Sequence, residues 1–79
     1  MIYNRLALIR TEQGISRTEL AEKINVNYQT IGFIERGDYY PSLELAFKIS
    51  EVLDVEMTAI FSDKPFERVF KSKGESNEK

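Results

Sequence analysis

Five residues suited to binding fall at helical spacing within one short segment of this 79-residue sequence. They are Tyr28, Gln29, Gly32, Phe33 and Arg36. Residues three or four positions apart lie on the same side of a helix, so one helix would present all five together. A solvent-facing helix side normally carries lysine and glutamate, whereas this one has two aromatic rings, an amide, a glycine and a single arginine. We therefore expect this side to bind a partner.

Two kinds of partner fit this chemistry. In the major groove of DNA, an amide side chain bonds the edge of adenine at two points, and aromatic or methyl-bearing groups contact the thymine methyl. Packing on another protein would use the same aromatic side chains, because aromatic residues are enriched at protein interfaces. We favour double-stranded DNA and keep a protein partner as the alternative.

The sequence lacks most of the residue types that catalysis and metal binding use. There is no histidine and no cysteine, which removes the ligands of thiolate and imidazole zinc sites and the usual general base. A chain of 79 residues also offers little volume for a substrate cleft. We expect no enzyme activity, no metal and no cofactor, and no small-molecule ligand is evident.

The composition is that of one ordinary soluble domain, with 42% apolar and 30% charged residues. No apolar run approaches the roughly 20 residues needed to cross a bilayer, so we expect a cytoplasmic protein without membrane contact. The net charge is −2, and the chain through Phe61 carries six Lys or Arg against nine Asp or Glu. This balance argues mildly against nucleic-acid binding, which usually relies on a positive patch.

Capping residues and glycines divide the chain up to Phe61 into five short helices. We predict helices over residues 4–13, 16–24, 28–36, 43–53 and 56–61. Ser16 and Glu19 form a capping box at the start of the second helix, and Asn27 and Ser42 are caps for the third and fourth. Gly14 and Gly37 are typical left-handed helix stops. The second and third helices, joined by a tight turn, form a helix-turn-helix pattern.

Residue types in register across all five helices extend this pattern over about residues 4–61. They include Leu6, Ile9, Arg10, Gly14-Ile15-Ser16, Glu19-Leu20-Ala21, Val26, Gln29-Thr30-Ile31, Ile34-Glu35-Arg36-Gly37, Pro41-Ser42-Leu43, Ile49 and Leu53. In this respect the sequence resembles the Cro/repressor-type (Xre) helix-turn-helix regulators, and its layout is similar to their small stand-alone members. The resemblance implies an all-α, lambda-repressor-like bundle and a sequence-specific DNA-binding transcriptional regulator. It further implies a homodimer on a near-palindromic operator, more often a repressor than an activator.

The resemblance also implies roles for single positions. Base readout maps onto the start of the third helix and one turn along: Asn27, Tyr28, Gln29, Gly32 and Phe33. Phosphate contacts map onto the start of the second helix and onto the end of the third with its following loop: Ser16, Arg17, Arg36, Tyr39 and Tyr40. Arg17 is equally open to being an exposed surface charge. Arg10 and Glu35 form an ion pair across the bundle in this family. Family members often carry polar residues where Gly32 and Phe33 stand, so we expect an apolar contact or a close backbone approach there.

The fourth helix is apolar around more of its circumference than one core-facing stripe requires. We expect a homodimer interface made of this helix and the apolar residues after it: Leu45, Ile49, Val52, Ile60, Phe61, Phe66 and Phe70. The segment 66–70 is compatible with a strand or a helical turn, and we predict a strand paired with residues 1–3 in a two-stranded ribbon. Residues 1–70 would then form the DNA-binding and dimerisation domain. Residues 71–79 have no apolar side chain and are expected to be a disordered tail.

The alternative function is an antitoxin-like or scaffold protein that uses the same fold mainly to bind another protein. Exposed aromatic side chains at Tyr28, Phe33, Tyr39 and Tyr40 would suit that role too. Salt separates the two hypotheses, because counterion release makes DNA binding weaken steeply with rising salt, whereas apolar protein association does not.

Overall fold

The structure is a computed structural model that describes residues 1–66. Five helices and two very short strands follow one another in the order β1 (Tyr3–Asn4), α1 (Leu6–Glu12), α2 (Arg17–Ile24), α3 (Tyr28–Arg36), α4 (Leu43–Leu53), α5 (Met57–Ile60) and β2 (Phe61–Ser62). This architecture confirms the predicted all-α bundle of five helices with a two-stranded ribbon. The bounds of α3 and α4 are those predicted from their caps.

Local hydrogen bonds account for the ends of the central helices. The Ser16 hydroxyl accepts a hydrogen bond from the Glu19 backbone N–H at 3.0 Å, and the Glu19 carboxylate accepts one from the Ser16 N–H at 3.4 Å. These two bonds are the predicted capping box of α2. Ser42 caps α4 through the Leu45 N–H, and Gly37 ends α3 with a left-handed φ of 81°. These helix ends are therefore fixed by residues that are visible in the sequence.

The core is built from apolar side chains contributed by all five helices. Seven large side chains are fully buried in it: Leu6, Leu20, Ile31, Ile34, Ile49, Leu53 and Ile60. Helix α2 packs against both α3 and α4, and α1 also contacts α3. This packing holds α3 on one side of the bundle with its opposite side facing solvent.

The ribbon differs from the predicted one in its second strand. Strands β1 and β2 are antiparallel, with Tyr3 opposite Ser62 and Asn4 opposite Phe61, so the prediction of residues 66–70 as the partner of the N-terminus is wrong for Phe66. Residues 67–70 lie outside the described residues. The Phe66 ring instead lies beneath the Arg5 guanidinium, whose carbon is 4.5 Å from the ring centroid.

Two helices are shorter than predicted because the ribbon takes residues from their ends. Asn4 belongs to β1, and its side-chain oxygen accepts the Leu6 N–H at 3.0 Å, so α1 begins only at Leu6. Phe61 has an extended backbone with φ −122° and ψ 143°, so α5 ends at Ile60. Both differences follow from pairing between distant parts of the chain.

The predicted dimer interface needs correction. Ile49 and Ile60 have no solvent exposure within a single chain, so both belong to the core and are unavailable to a partner. Leu45, Val52 and Phe61 are partly buried against the same core, and Phe70 lies outside the described residues. The exposed apolar side chains of α4 are Leu43 and Phe47.

In the described range 1–66, every helix is too short or too polar to cross a bilayer.

Candidate nucleic-acid interface

The solvent-facing side of α3 presents the residues whose helical spacing indicated a binding surface. Burial of Ile31 and Ile34 orients the helix, and Tyr28, Gln29 and Phe33 are exposed on its other side. The side-chain oxygen of Asn27 accepts the Gln29 backbone N–H at 2.8 Å. Asn27 is thus the N-cap of α3, and it positions the first turn of the helix.

A single depression of about 320 Å³ collects most of the candidate contact residues. Its lining residues, which define the α3 depression, are Arg17, Tyr28, Gln29, Gly32, Phe33 and Arg36. The structure therefore brings four of the five candidate base-reading residues together with two of the five candidate phosphate contacts. Only the packing of α2 against α3 places Arg17 in this group.

Gly32 is buried although it lies on the exposed side of α3. Arg36 contributes to that cover, since a Cβ atom at position 32 would lie 3.3 Å from Arg36 Nη1. The Arg36 guanidinium also lies over the Phe33 ring, 5.1 Å from its centroid, and Arg36 Nε donates to Asp38 at 3.2 Å. Arg36 is thereby held along one side of the α3 depression.

Glu35 is the point at which the first three helices are joined. Its side chain is only 3% exposed, and its two oxygens accept from Arg10 Nε at 2.7 Å and from Arg17 Nε at 2.9 Å. Arg10 also donates from Nη1 to the Ile15 carbonyl oxygen at 2.8 Å. The structure thus pairs Arg10 with Glu35 and adds Arg17 as a second cation.

The pairing of Arg17 with Glu35 was not predicted from the sequence, which suggested only a phosphate contact or a free surface charge. Arg17 is 49% exposed, and the hydrogen bond to Glu35 uses its Nε. Its two Nη groups have no hydrogen-bond acceptor among residues 1–66 and are available to a partner. The opposite charges of Arg17 and Glu35 were the one indication of this ion pair in the sequence. They predict the pair only if the packing of α2 on α3 is already known.

The remaining phosphate candidates do not line the α3 depression. Ser16 is exposed next to Arg17 at the N-terminus of α2, with its hydroxyl oxygen engaged in the capping box. Tyr39 and Tyr40 are exposed in the loop after α3. The Tyr40 hydroxyl accepts the Ile2 backbone N–H at 3.3 Å, and neither tyrosine lines the α3 depression.

Tyr40 lines a second depression of about 360 Å³, which is mostly apolar. The lining residues of this apolar depression are Ile2, Tyr40, Pro41, Leu43, Ala46, Met57, Thr58 and Phe61. Of the predicted interface residues that the structure describes, Phe61 alone belongs to it. Ile2, Leu43 and Met57 were not predicted to lie there, because residues near helix ends and at the chain start give no periodic signal.

The charges around the α3 depression are more favourable for an anionic partner than the net charge of −2 suggests. Its lining residues include two arginines and no carboxylate, and each arginine is paired just outside the lining, Arg17 with Glu35 at 2.9 Å and Arg36 with Asp38 at 3.2 Å. Three carboxylates, Glu51, Asp54 and Glu56, line a separate depression at the turn between α4 and α5. An anionic partner responds to the local field rather than to the total charge.

Known proteins share both the sequence pattern and the fold of this chain. The sequence profile of the helix-turn-helix family matches residues 6–60. An uncharacterized HTH-type transcriptional regulator of Archaeoglobus fulgidus is 40% identical over 57 residues, which are 72% of this chain and 81% of that protein. The immunity repressor protein of Bacillus phage phi105 is 32% identical over 59 residues, which are 75% of this chain and 41% of that protein.

A solved structure extends the similarity to three dimensions. The crystal structure of SinR, the master regulator for biofilm formation, in complex with DNA superposes with a TM-score of 0.62 at 41% sequence identity. The matched region covers 67% of this chain and 86% of that chain.

Proposed function

We propose, from the premise that this chain belongs to the Xre-type helix-turn-helix family of transcriptional regulators, that it is a repressor. In this proposal it binds a near-palindromic operator as a homodimer. The family consists of DNA-binding regulators that are not enzymes. The site residues, the oligomeric state and the direction of regulation are proposals for this particular chain.

The α3 depression carries the proposal, because it combines an exposed amide with two flanking arginines. A helix of this kind lies in the major groove with the residues of its first turns against the base edges. Gln29 is the residue with the right chemistry for adenine, since its amide both donates and accepts. Tyr28 and Phe33 stand beside it for contacts with the groove wall or with apolar groups.

Phosphate contacts would come from the rim of the same depression. The hydrogen bond from Arg17 Nε to Glu35 holds the guanidinium at the start of α2, with its two Nη groups free for a phosphate oxygen. The backbone N–H groups next to Ser16 add the positive end of the helix dipole. Arg36 provides a second cation, and Tyr39 and Tyr40 are proposed as neutral contacts from the following loop.

A homodimer is proposed because one reading helix covers only one half-site. Two half-sites about one turn of DNA apart, roughly 34 Å, combine their binding energies when a symmetric dimer contacts both. The apolar depression, which Leu43 lines, and the exposed Phe47 side chain one turn further along α4 are the surface that a second copy would cover. Stable dimers bury about 800 Å² per partner, so this surface would form the centre of the interface.

Repression is the simplest consequence of such binding. A dimer on both half-sites covers DNA that the transcription machinery would otherwise occupy, and this requires no further activity of the protein. The similarity to the phage phi105 immunity repressor supports this direction of regulation.

The domain limits are also proposed. We infer that residues 1–70 suffice for DNA binding and dimerisation. Residues 71–79 are dispensable in this proposal, because that segment contains no apolar residue that could pack on the domain.

A protein partner is the second candidate function, favoured by the apolar depression and the exposed aromatic residues. Selection of bound sequences from a random pool of DNA duplexes tests the main proposal and yields the operator in the same experiment. Enrichment of a near-palindromic sequence is the expected result. A pool that shows no enrichment above the starting mixture would favour the protein partner instead.

A further inference from the structure

We propose that Glu35 is a positioning residue for DNA binding, because its buried carboxylate fixes the orientation in which Arg17 meets a backbone phosphate. The inference rests on the proposed DNA-binding function and concerns the phosphate contact at the start of α2. Glu35 would not touch DNA itself, since its side chain is only 3% exposed. Its effect on binding would pass through Arg17, whose side chain is 49% exposed.

The Glu35 carboxylate has a fixed place in the bundle. Its Oε2 accepts from Arg10 Nε at 2.7 Å, and its Oε1 accepts from Arg10 Nη2 at 3.5 Å. Both side chains are largely shielded from water, with Arg10 only 13% exposed. A charged pair held by two hydrogen bonds in such surroundings has little freedom to change its geometry. Oε1 is therefore a fixed acceptor at the place where α2 packs on α3.

Arg10 also fixes the backbone from which α2 begins. Its Nη1 donates to the Ile15 carbonyl oxygen at 2.8 Å, and the Ile15 N–H donates to the Arg10 carbonyl oxygen at 3.1 Å. Ile15 directly precedes Ser16, the N-cap of α2. The Arg10–Glu35 pair thus places the backbone at the start of α2 and, through Oε1, the side chain of Arg17.

The guanidinium of Arg17 is bonded at one edge and open at the other. Its Nε donates to Oε1 of Glu35 at 2.9 Å, whereas its Nη groups have no acceptor among residues 1–66. A guanidinium is planar, so anchoring Nε sets the plane in which the Nη groups point. These groups are donors that can bond a phosphate at two points. A long side chain that is already ordered also loses less entropy when DNA binds.

Lysine at position 17 could not serve both acceptors in this way. Its ammonium group is a point charge on a flexible stem, so it would pair either with Glu35 or with a phosphate, and from a variable position. Arg17→Lys keeps the charge and leaves the Arg10–Glu35 pair in place. The substitution therefore separates the orientation of the cation from its charge.

Charge alone predicts the opposite effect for Glu35, since a carboxylate near DNA repels phosphate. Glu19 provides the comparison, because it is an exposed carboxylate in the first turn of α2 that bonds the Ser16 N–H. Glutamine at position 19 can keep this capping box. Removing the charge of Glu19 should leave operator binding unchanged or strengthen it, whereas removing the charge of Glu35 should weaken it.

The test measures the affinity of full-chain variants for the selected operator. Arg17→Lys should bind about threefold more weakly at each half-site, and about tenfold more weakly as a dimer on two, because one long side chain must then be ordered on binding. Glu35→Gln should weaken binding to a similar extent, and Glu19→Gln should not weaken it. Combining Arg17→Lys with Glu35→Gln should cost no more affinity than Glu35→Gln alone.

A spectroscopic measurement tests the same contact in the parent protein. The isotope-labelled Nε–H of Arg17 should give an exchange-protected NMR signal in the free protein, and this signal should persist in the operator complex. Arg17→Lys identifies the signal by its absence. The measurement does not depend on Glu35→Gln, which leaves the buried Arg10 without its carboxylate partner and is therefore destabilising. Circular dichroism shows whether that variant is folded.

Two kinds of result would overturn the inference. One is an affinity that ignores the contact: Arg17→Lys binding as tightly as the parent, folded Glu35→Gln binding as tightly as Glu19→Gln, or a double variant that loses the product of the two single effects. The other is an Arg17 Nε–H signal that is lost when the operator binds. In each case DNA binding itself stands, without help from Glu35. Failure to enrich any operator overturns the proposed function instead.

Discussion

Arg17 Nε lies 2.9 Å from Oε1 of Glu35, and the second oxygen of the same carboxylate accepts from Arg10 at 2.7 Å. One nearly buried acid thereby links α1, α2 and α3. The two cations differ in surroundings, since Arg10 is 13% exposed and Arg17 is 49% exposed. Arg10 is held within the bundle, whereas Arg17 is anchored by one nitrogen and presents the others to solvent beside the α3 depression.

This difference predicts unequal effects of removing the two cations on folding. Arg10→Met should lower the free energy of unfolding by about 3 kcal/mol, because it breaks the more buried half of the ion pair. Arg17→Met should lower it by less than about 1 kcal/mol, because the exposed partner is screened by water. Urea denaturation of the two variants measures both values. Equal losses of unfolding free energy in the two variants would show that Arg10 does not contribute more than Arg17 to stabilising the buried Glu35 carboxylate.

Arg17 and Gln29 should affect DNA binding in different ways. Gln29→Ala should lose about 1–3 kcal/mol of discrimination at one base pair per half-site, because it removes a bidentate base contact. Arg17→Ala should weaken binding to all sequences alike and reduce the slope of log affinity against log salt by about one unit for each phosphate that is no longer neutralised. Titrations against the operator and its single-base changes at two salt concentrations measure these effects.

Lys23→Ala is the matched control for the Arg17 variant. Lys23 is an exposed cation at the other end of α2 and does not line the α3 depression, so its removal should leave the salt slope unchanged. If Lys23→Ala and Arg17→Ala reduced the slope equally, the effect would come from net charge and not from a phosphate contact at the start of α2.

How far the sequence could predict the fold depended on how local each signal was. Asn27 caps the start of α3, Gly37 caps its end, and Ser42 caps the start of α4. Their hydrogen bonds and backbone angles are confined to one turn of helix. Both helices were predicted with their observed limits for this reason. Phe61 was expected to be helical, and its extended backbone depends on pairing with Asn4 at the other end of the described chain.

The residues of the candidate site could likewise be predicted from the sequence where they lie on a single helix. The helical period alone grouped Tyr28, Gln29, Gly32, Phe33 and Arg36, which all line the α3 depression. The second cation on Glu35 was not predictable, because the approach of Arg17 depends on how α2 packs against α3. For the same reason the sequence could not decide which apolar residues of α4 were core. Ile49 is buried there, whereas Leu43 and Phe47 remain exposed.

The exposed apolar surface of α4 predicts how the dimer can be disrupted. Leu43→Glu should shift the protein toward monomer and weaken operator binding, because a carboxylate in the centre of an apolar interface must be desolvated on association. Leu8→Glu is the control, since Leu8 is also exposed but lies on α1, outside the apolar depression. Sedimentation at micromolar concentration measures the oligomeric state. A parent protein that is strictly monomeric there would contradict the proposed homodimer.

Two truncations test the proposed domain limits. Removing residues 72–79 should leave folding and DNA affinity unchanged. Removing the chain from Pro65 onward should lower the thermal stability, because it deletes the Phe66 ring that lies 4.5 Å from the Arg5 guanidinium carbon, a contact of about 0.5–1 kcal/mol at an exposed site. Thermal melts compare the two proteins with the full chain. Equal stability of both truncations would mean that Phe66 contributes nothing to the fold.

The measurement that tests the central claim most directly is a binding titration of the full chain with the selected operator and with a scrambled duplex of equal composition, at roughly 50 and 200 mM salt. We expect the operator to bind at least about a thousandfold more tightly than the scrambled duplex. Its affinity should fall about a thousandfold across this salt range if the dimer neutralises about six phosphates. Equal binding of the two duplexes, or an operator affinity that salt does not change, would contradict sequence-specific recognition by α3.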